Sequence, residues 1–122
     1  MKQKEITIHG KQYPVAFDLQ TLLNYEENSG HSFFNIDFEH ISLNDRINII
    51  HAAVKSADMN TDLTIEDIKG KKSFDDMSAI LAASNTVVIL STDFFPVPEI
   101  EKQNNPEPPA EEQAEGDDKP KN

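Results

Sequence analysis

At 122 residues the chain has the length of one domain, and 22 acids against 11 lysines and arginines give it a net charge of −11. A nucleic-acid binder or a protein drawn to anionic lipid needs clustered cations, and this chain holds a single arginine, Arg46, so neither partner is expected. With no cysteine there is no disulfide framework, thiolate metal site or cysteine nucleophile.

Along the chain, MKQKEITIHG lacks the apolar core of a secretion signal. Residues 4–9 and 11–17 alternate polar and apolar around Gly10. That pattern predicts a β-hairpin turning at His9-Gly10 or Gly10-Lys11. Pro14 has no N–H for a ladder, so its strand is expected to present that position to an open edge. Asp18 is suited to cap a helix that carries Leu19, Leu22, Leu23 and Glu26 at helical spacing, with Tyr25 beside the stripe and Gly30 at its end. Phe33, Phe34 and Phe38 are expected to pin the following connector to the core.

Three helix starts then repeat one device. Ser42, Thr64 and Ser73 each stand three residues before an aspartate, which predicts a hydroxyl N-cap answered by a carboxylate. The first of these helices, 43–57, shows an apolar stripe of Leu43, Ile47, Ile50 and Val54, widened by Ile49, Ala53 and Ala57. The second, 65–69, is stopped by Gly70. The third, about 74–91, is the most apolar part of the chain, with Phe74, Met77, Leu81 and Val88 on one side and Ile80, Val87 and Leu90 on another. Such a helix is either central or supplies a surface to another copy or a partner. TVVIL at 86–90 is its longest near-apolar run, far short of the roughly 20 residues that cross a bilayer. Phe94 and Phe95 form an anchor before Pro96. From Pro96 onward six prolines, eight acids and three lysines leave only Val97 and Ile100 to bury, so 96–122 is expected to be a disordered acidic tail on a folded body of 1–95.

Catalytic constellations are not apparent. Asp58, Asn60 and Asp62 imitate the start of a calcium loop, but Leu63 stands where glycine is needed and Lys69 where the bidentate glutamate belongs, so an Asx-rich turn is the better reading. His9, His31, His40 and His51 lack metal-ligand spacing, and neither a nucleophile elbow nor a phosphate-cradling glycine loop is present. Neither catalytic nor metal nor cofactor residues are assigned, and a non-enzymatic role is expected.

The run I-T-I-H-G-K-Q-Y-P-V-A-F-D, carrying Ile6, Ile8, His9, Gly10, Lys11, Tyr13 and Phe17, followed by LLNYEENSGHSFF at 22–34, resembles the tail assembly chaperones of long-tailed bacteriophages and prophages. The resemblance covers about 1–95; the helices after Ser42 are not aligned with the family. It implies a protein that binds the tape-measure protein in the host bacterial cytoplasm, with the tail-tube protein as a candidate further partner. Such a protein keeps the tape measure soluble during tail-tube assembly and is absent from the mature virion. It also implies that a frameshifted longer product can accompany this chain.

The expected fold is therefore α+β and mostly α: an N-terminal β-hairpin packed on about four helices, then the tail. The expected partner surface is Phe74, Met77, Leu81, Val88, Phe94 and Phe95, with self-association allowed. Two other readings stand beside the chaperone. One is a small acidic inhibitor or DNA mimic, disfavoured because eight cations offset fourteen acids in the body. The other is a structural tail or connector subunit.

Overall fold

A computed structural model describes residues 4–95 as a two-stranded antiparallel hairpin followed by four α-helices and one 3₁₀ turn. The elements are β1 (Lys4–Ile8), β2 (Lys11–Val15), α1 (Leu19–Ser29), the turn Phe33–Asn35, α2 (Leu43–Ala57), α3 (Ile65–Lys69) and α4 (Phe74–Phe94). An α+β, mostly helical fold with an N-terminal hairpin is what the sequence leads one to expect. The tail expected over 96–122 lies outside the described residues.

The hairpin turns at His9-Gly10. Both residues have positive φ, 52° and 80°, the geometry of the type I′ turn that matches the twist of the two strands. Ile8 pairs with Lys11 across the turn, and Glu5 opposes Pro14. With a two-residue turn, Glu5 and Pro14 form a non-hydrogen-bonded pair, so the proline nitrogen faces away from β1. Ile6, Ile8 and Val15 point into the core beneath the hairpin. Beneath β1 runs α4, whose small side chains Ala79, Ala82, Ala83 and Thr86 let the strand lie close. β2 leads onto α2, where the Ala16 amide donates to the Ala53 carbonyl at 3.2 Å.

The core residues of α2 are Ile47, Ile49, Ile50, Ala53 and Val54, all buried. Leu43, expected on the same stripe, is 46% exposed because it sits at the helix start beyond the edge of the neighbouring helices. α1 departs further from expectation. Leu19 and Leu23 face solvent, and the buried face is Thr21, Leu22, Asn24 and Tyr25. Hydrogen bonds explain the rotation. Thr21 Oγ1 donates to the Ser56 hydroxyl at 2.8 Å, Asn24 Nδ2 donates to the Ala52 carbonyl at 3.2 Å, and the fully buried Tyr25 reaches Asp45. A polar face that finds its partners on α2 is buried in preference to two leucines without them.

Of the connector's three phenylalanines only Phe33 is an anchor, with Ile36 buried as well. Phe34 and Phe38 are 68% and 45% exposed, leaning against Phe33 rather than into the core. Hydroxyl caps open α2, α3 and α4 as expected, with Ser42, Thr64 and Ser73 accepting from the third residue of each helix. The reciprocal half of the box closes on α3 and α4 but not on α2, where Asp45 is turned toward Tyr25 and His31 instead. Asp18 and Thr21 form a box at the start of α1.

Candidate partner-binding face

Between Asp76 and Asp93 lie sixteen residues without a charge, in a chain more than a quarter charged. They form most of α4, which is longer than the sequence reading placed it and ends at Phe94. One side is satisfied inside the protein: Asp76, Ile80, Ala83, Ser84, Val87 and Ser91 are buried against β1, α2 and α3. The other side is open. Phe74 is 73% exposed and Ile89 66%, while Met77, Leu81 and Val88 are half-buried along its edge. By length and composition the helix reaches what a bilayer span requires, with a mean hydropathy of 1.4, so the short TVVIL run understated it. Burial of one of its sides within the domain gives the apolar composition a second cause.

Two shallow grooves run along this edge. The first, about 470 Å³, lies between the start of α2 and the first half of α4, with Leu43, Ile47, Phe74, Met77 and Ile80 as its apolar walls and Lys69 and Lys72 on its rim. The second, about 410 Å³, lies between the 3₁₀ turn and the last turns of α4. Phe33, Phe34, Phe38, Val88, Thr92 and Phe95 line it. Asp37 and Glu39, both exposed, flank Phe38 in the sequence. Arg46 separates the two grooves. From α2 it crosses to α4 and donates to Ser84 Oγ at 2.9 Å and Asn85 Oδ1 at 3.0 Å.

Of the six residues singled out in the sequence, the structure brings Phe74 and Met77 into the first groove and Val88 and Phe95 into the second, with Leu81 half-buried on the helix between them. Phe95 packs against the core, while Phe94, 39% exposed, touches Phe17 but stays largely at the surface. Their rings stand 5.6 and 5.9 Å from Phe17, and Phe95 also packs on Phe33 and Phe34. Sequence reasoning missed Ile89, Phe34 and Phe38 as surface groups. The signal for Ile89 is its place on the uncharged side opposite Val87.

Polar clusters elsewhere fasten the fold. Tyr25 donates to Asp45 Oδ1 at 3.0 Å, and His31 Nε2 lies 2.9 Å from the phenol oxygen. Burial and the neighbouring carboxylate push the Tyr25 hydroxyl well above its ordinary pKa, so it stays a donor. His9, far from being a free turn residue, sets Nδ1 2.9 Å from Asp76 Oδ1 and Nε2 3.1 Å from the Ile68 carbonyl. The Ser73 amide and hydroxyl, the Lys71 amide and the His9 ring hold the Asp76 carboxyl below the usual carboxylate range. Nε2 of His51 lies 3.1 Å from the Leu63 carbonyl and Nδ1 3.0 Å from the Asn28 amide, which fits a neutral ring donating to one and accepting from the other. Asp37, Glu39 and His40 gather within 4.8 Å on the surface, where Asp37 accepts from the Glu39 amide in a tight turn. Asp58 plays the same part for Asn60, giving the Asx turn expected there. No protein-family model, curated protein or solved structure matches the chain.

Proposed function

We propose that this protein is a non-catalytic tail assembly chaperone that holds apolar helices of a phage tape-measure protein in solution, in the host cytoplasm, until tail-tube subunits enclose them. The observation that supports this reading is the uncharged open side of α4 with its two grooves, a surface suited to an amphipathic helix. Isolated exposed leucines are ordinary on protein surfaces, but a contiguous apolar strip flanked by polar rims marks an interaction site. The surrounding negative charge keeps such a strip from aggregating while it holds a sticky cargo. The hairpin with its His9-Gly10-Lys11 turn carries the resemblance and serves to seat α4, not to bind cargo.

Co-expression of tagged chain with the products of neighbouring genes, followed by mass identification of the soluble complex, tests the proposal. Recovery of a long helix-rich protein that is insoluble alone supports it, and Phe74→Asp with Ile89→Asp should abolish that recovery while the fold persists. Recovery of a basic nuclease or repressor that is released by high salt would instead transfer the assignment to an acidic inhibitor.

A further inference from the structure

We infer that Arg46 selects the cargo: it pairs with an acidic side chain at the middle of an amphipathic helix whose large apolar residues enter the two grooves on either side. This selectivity rests on the chaperone reading above, whose cargo helix it specifies. Arg46 is the one arginine of a chain that has twice as many acids as lysines and arginines. Yet among the described residues no carboxylate is paired with it; the ion pairs there belong to His9, His31, His40 and Lys69. Its neighbours one turn away on α2 are Ser42, Leu43, Ile49 and Ile50, none of them acidic. Asp45, next to it in sequence, is turned to Tyr25 and His31.

The guanidinium is nevertheless held in place, and by one nitrogen alone. Nη1 donates to Ser84 Oγ at 2.9 Å and to Asn85 Oδ1 at 3.0 Å. Those two bonds use both hydrogens of Nη1, and the three N–H groups on Nε and Nη2 make no hydrogen bond among the described residues. That edge matches the two oxygens of a carboxylate, and its fork is already positioned before a partner arrives. In the first groove Asp76 and Lys69 are paired with His9 and Glu66, and Lys72 is exposed to screening solvent. The half-buried Arg46 is therefore the charge best placed to discriminate.

Position identifies what carries the carboxylate. Met77 in the first groove and Thr92 in the second stand on either side of the Ser84-Asn85 step. Each is roughly 11 Å from that step along the axis of α4. A partner must therefore present an apolar group, an acid and a second apolar group in a row at this interval. On a helix about 11 Å is seven residues, or two turns, so positions i−7, i and i+7 share one face. On an extended chain it is about three residues, and residues three apart point to opposite sides. A small carboxylate could meet Arg46 but would fill neither groove.

Labelled helical peptides of about three heptads, with leucine seven residues before and after the centre, test this against the purified full-length chain. One has glutamate at the centre and one has glutamine there. A third keeps the central glutamine and carries the glutamate on its polar face. Fluorescence anisotropy should show the centred-glutamate peptide binding about tenfold more tightly than either of the others. The net charge of −11 by itself favours the glutamine peptide, so bulk electrostatics gives the opposite order. Arg46→Gln should remove the preference, and Arg46→Glu should transfer it to a peptide with lysine at the centre, with circular dichroism checking that both variants fold. If they do not fold, the displaced-glutamate peptide still decides, because it changes no residue of the protein. Equal affinity of the three peptides for the wild type, a preference that survives in folded Arg46→Gln, or no binding up to roughly 1 mM overturns the inference. Any of these results beside recovery of the long helix-rich protein on co-expression leaves the chaperone reading standing without the selectivity. The tenfold preference without that recovery leaves a face that binds acidic amphipathic helices and overturns the chaperone reading.

Discussion

Gly70 shows how a single residue can hold two ends of the chain together. Its φ of +59° is a conformation that side chains resist. A Cβ there would also lie 2.5 Å from His9 Cε1 and 2.7 Å from Asp76 Oδ1. Gly70→Ala therefore meets both backbone strain and a clash with the ring that latches the hairpin to α4. It should cost about 2 kcal/mol or more in urea denaturation, whereas Gly10→Ala, with open space around it, should cost only the backbone term. His51 supplies a second test at this scale. Burial lowers its pKa below the ordinary imidazole range more than the Leu63 carbonyl raises it, with Lys55 adding to the lowering. The folded state then binds this proton more weakly than the unfolded chain. Its contribution to stability is complete above pH ~6.5 and drains away as the pH falls below that value. The difference in urea midpoint between wild type and His51→Gln should shrink from pH 7.5 to pH 5.5.

The elements repeat this logic with caps and stripes. Ser73→Ala removes the acceptor for the Asp76 amide and should destabilise the protein by about 1 kcal/mol. In α2, Asp45→Asn should also be destabilising although it closes no capping box, because Tyr25 would lose its charged acceptor. The number and order of elements were legible in the sequence, since alternation around Gly10, hydroxyl caps before aspartates, and stops at Gly30 and Gly70 are local signals. The facing of α1 was not. Leu19, Leu23 and Leu22 suggest one stripe, and only the partners on α2 reveal that Thr21, Asn24 and Tyr25 are the buried side. Half of the candidate site was legible for the same reason. The apolar excess of α4 is written in its composition, but which of its residues are spare depends on where β1, α2 and the Phe33 turn come to rest. Phe95 marks the distinction. Half-buried against Phe17 and Phe33, its replacement by alanine should cost about 2 kcal/mol, while Phe74→Ala should change stability by no more than about 0.5 kcal/mol. Thermal or urea unfolding of the two variants side by side separates the residue that builds the fold from the one that is free for a partner.

For the molecule as a whole, the open apolar side and the net charge of −11 act against each other. The side favours association of any two chains that meet, and the charge slows every such encounter. That balance depends on pH. The isoelectric point lies near 4.6, where repulsion vanishes and the apolar strip is left unopposed. Asp76 and its capping network remain intact there, because its carboxyl is held below the usual carboxylate range and loses its stabilising effect only as pH falls below ~4. Aggregation near pH 4.6 should therefore begin from folded protein. Light scattering should rise sharply between pH 5.5 and 4.6 while the helical circular dichroism signal stays at its neutral value. Replacing Ile89 and Phe74 by glutamine should suppress the rise without moving the isoelectric point, since both are exposed and neither substitution adds charge. If scattering instead tracked a loss of helix, the fold itself would be failing in acid, and the exposed side of α4 would not be its cause.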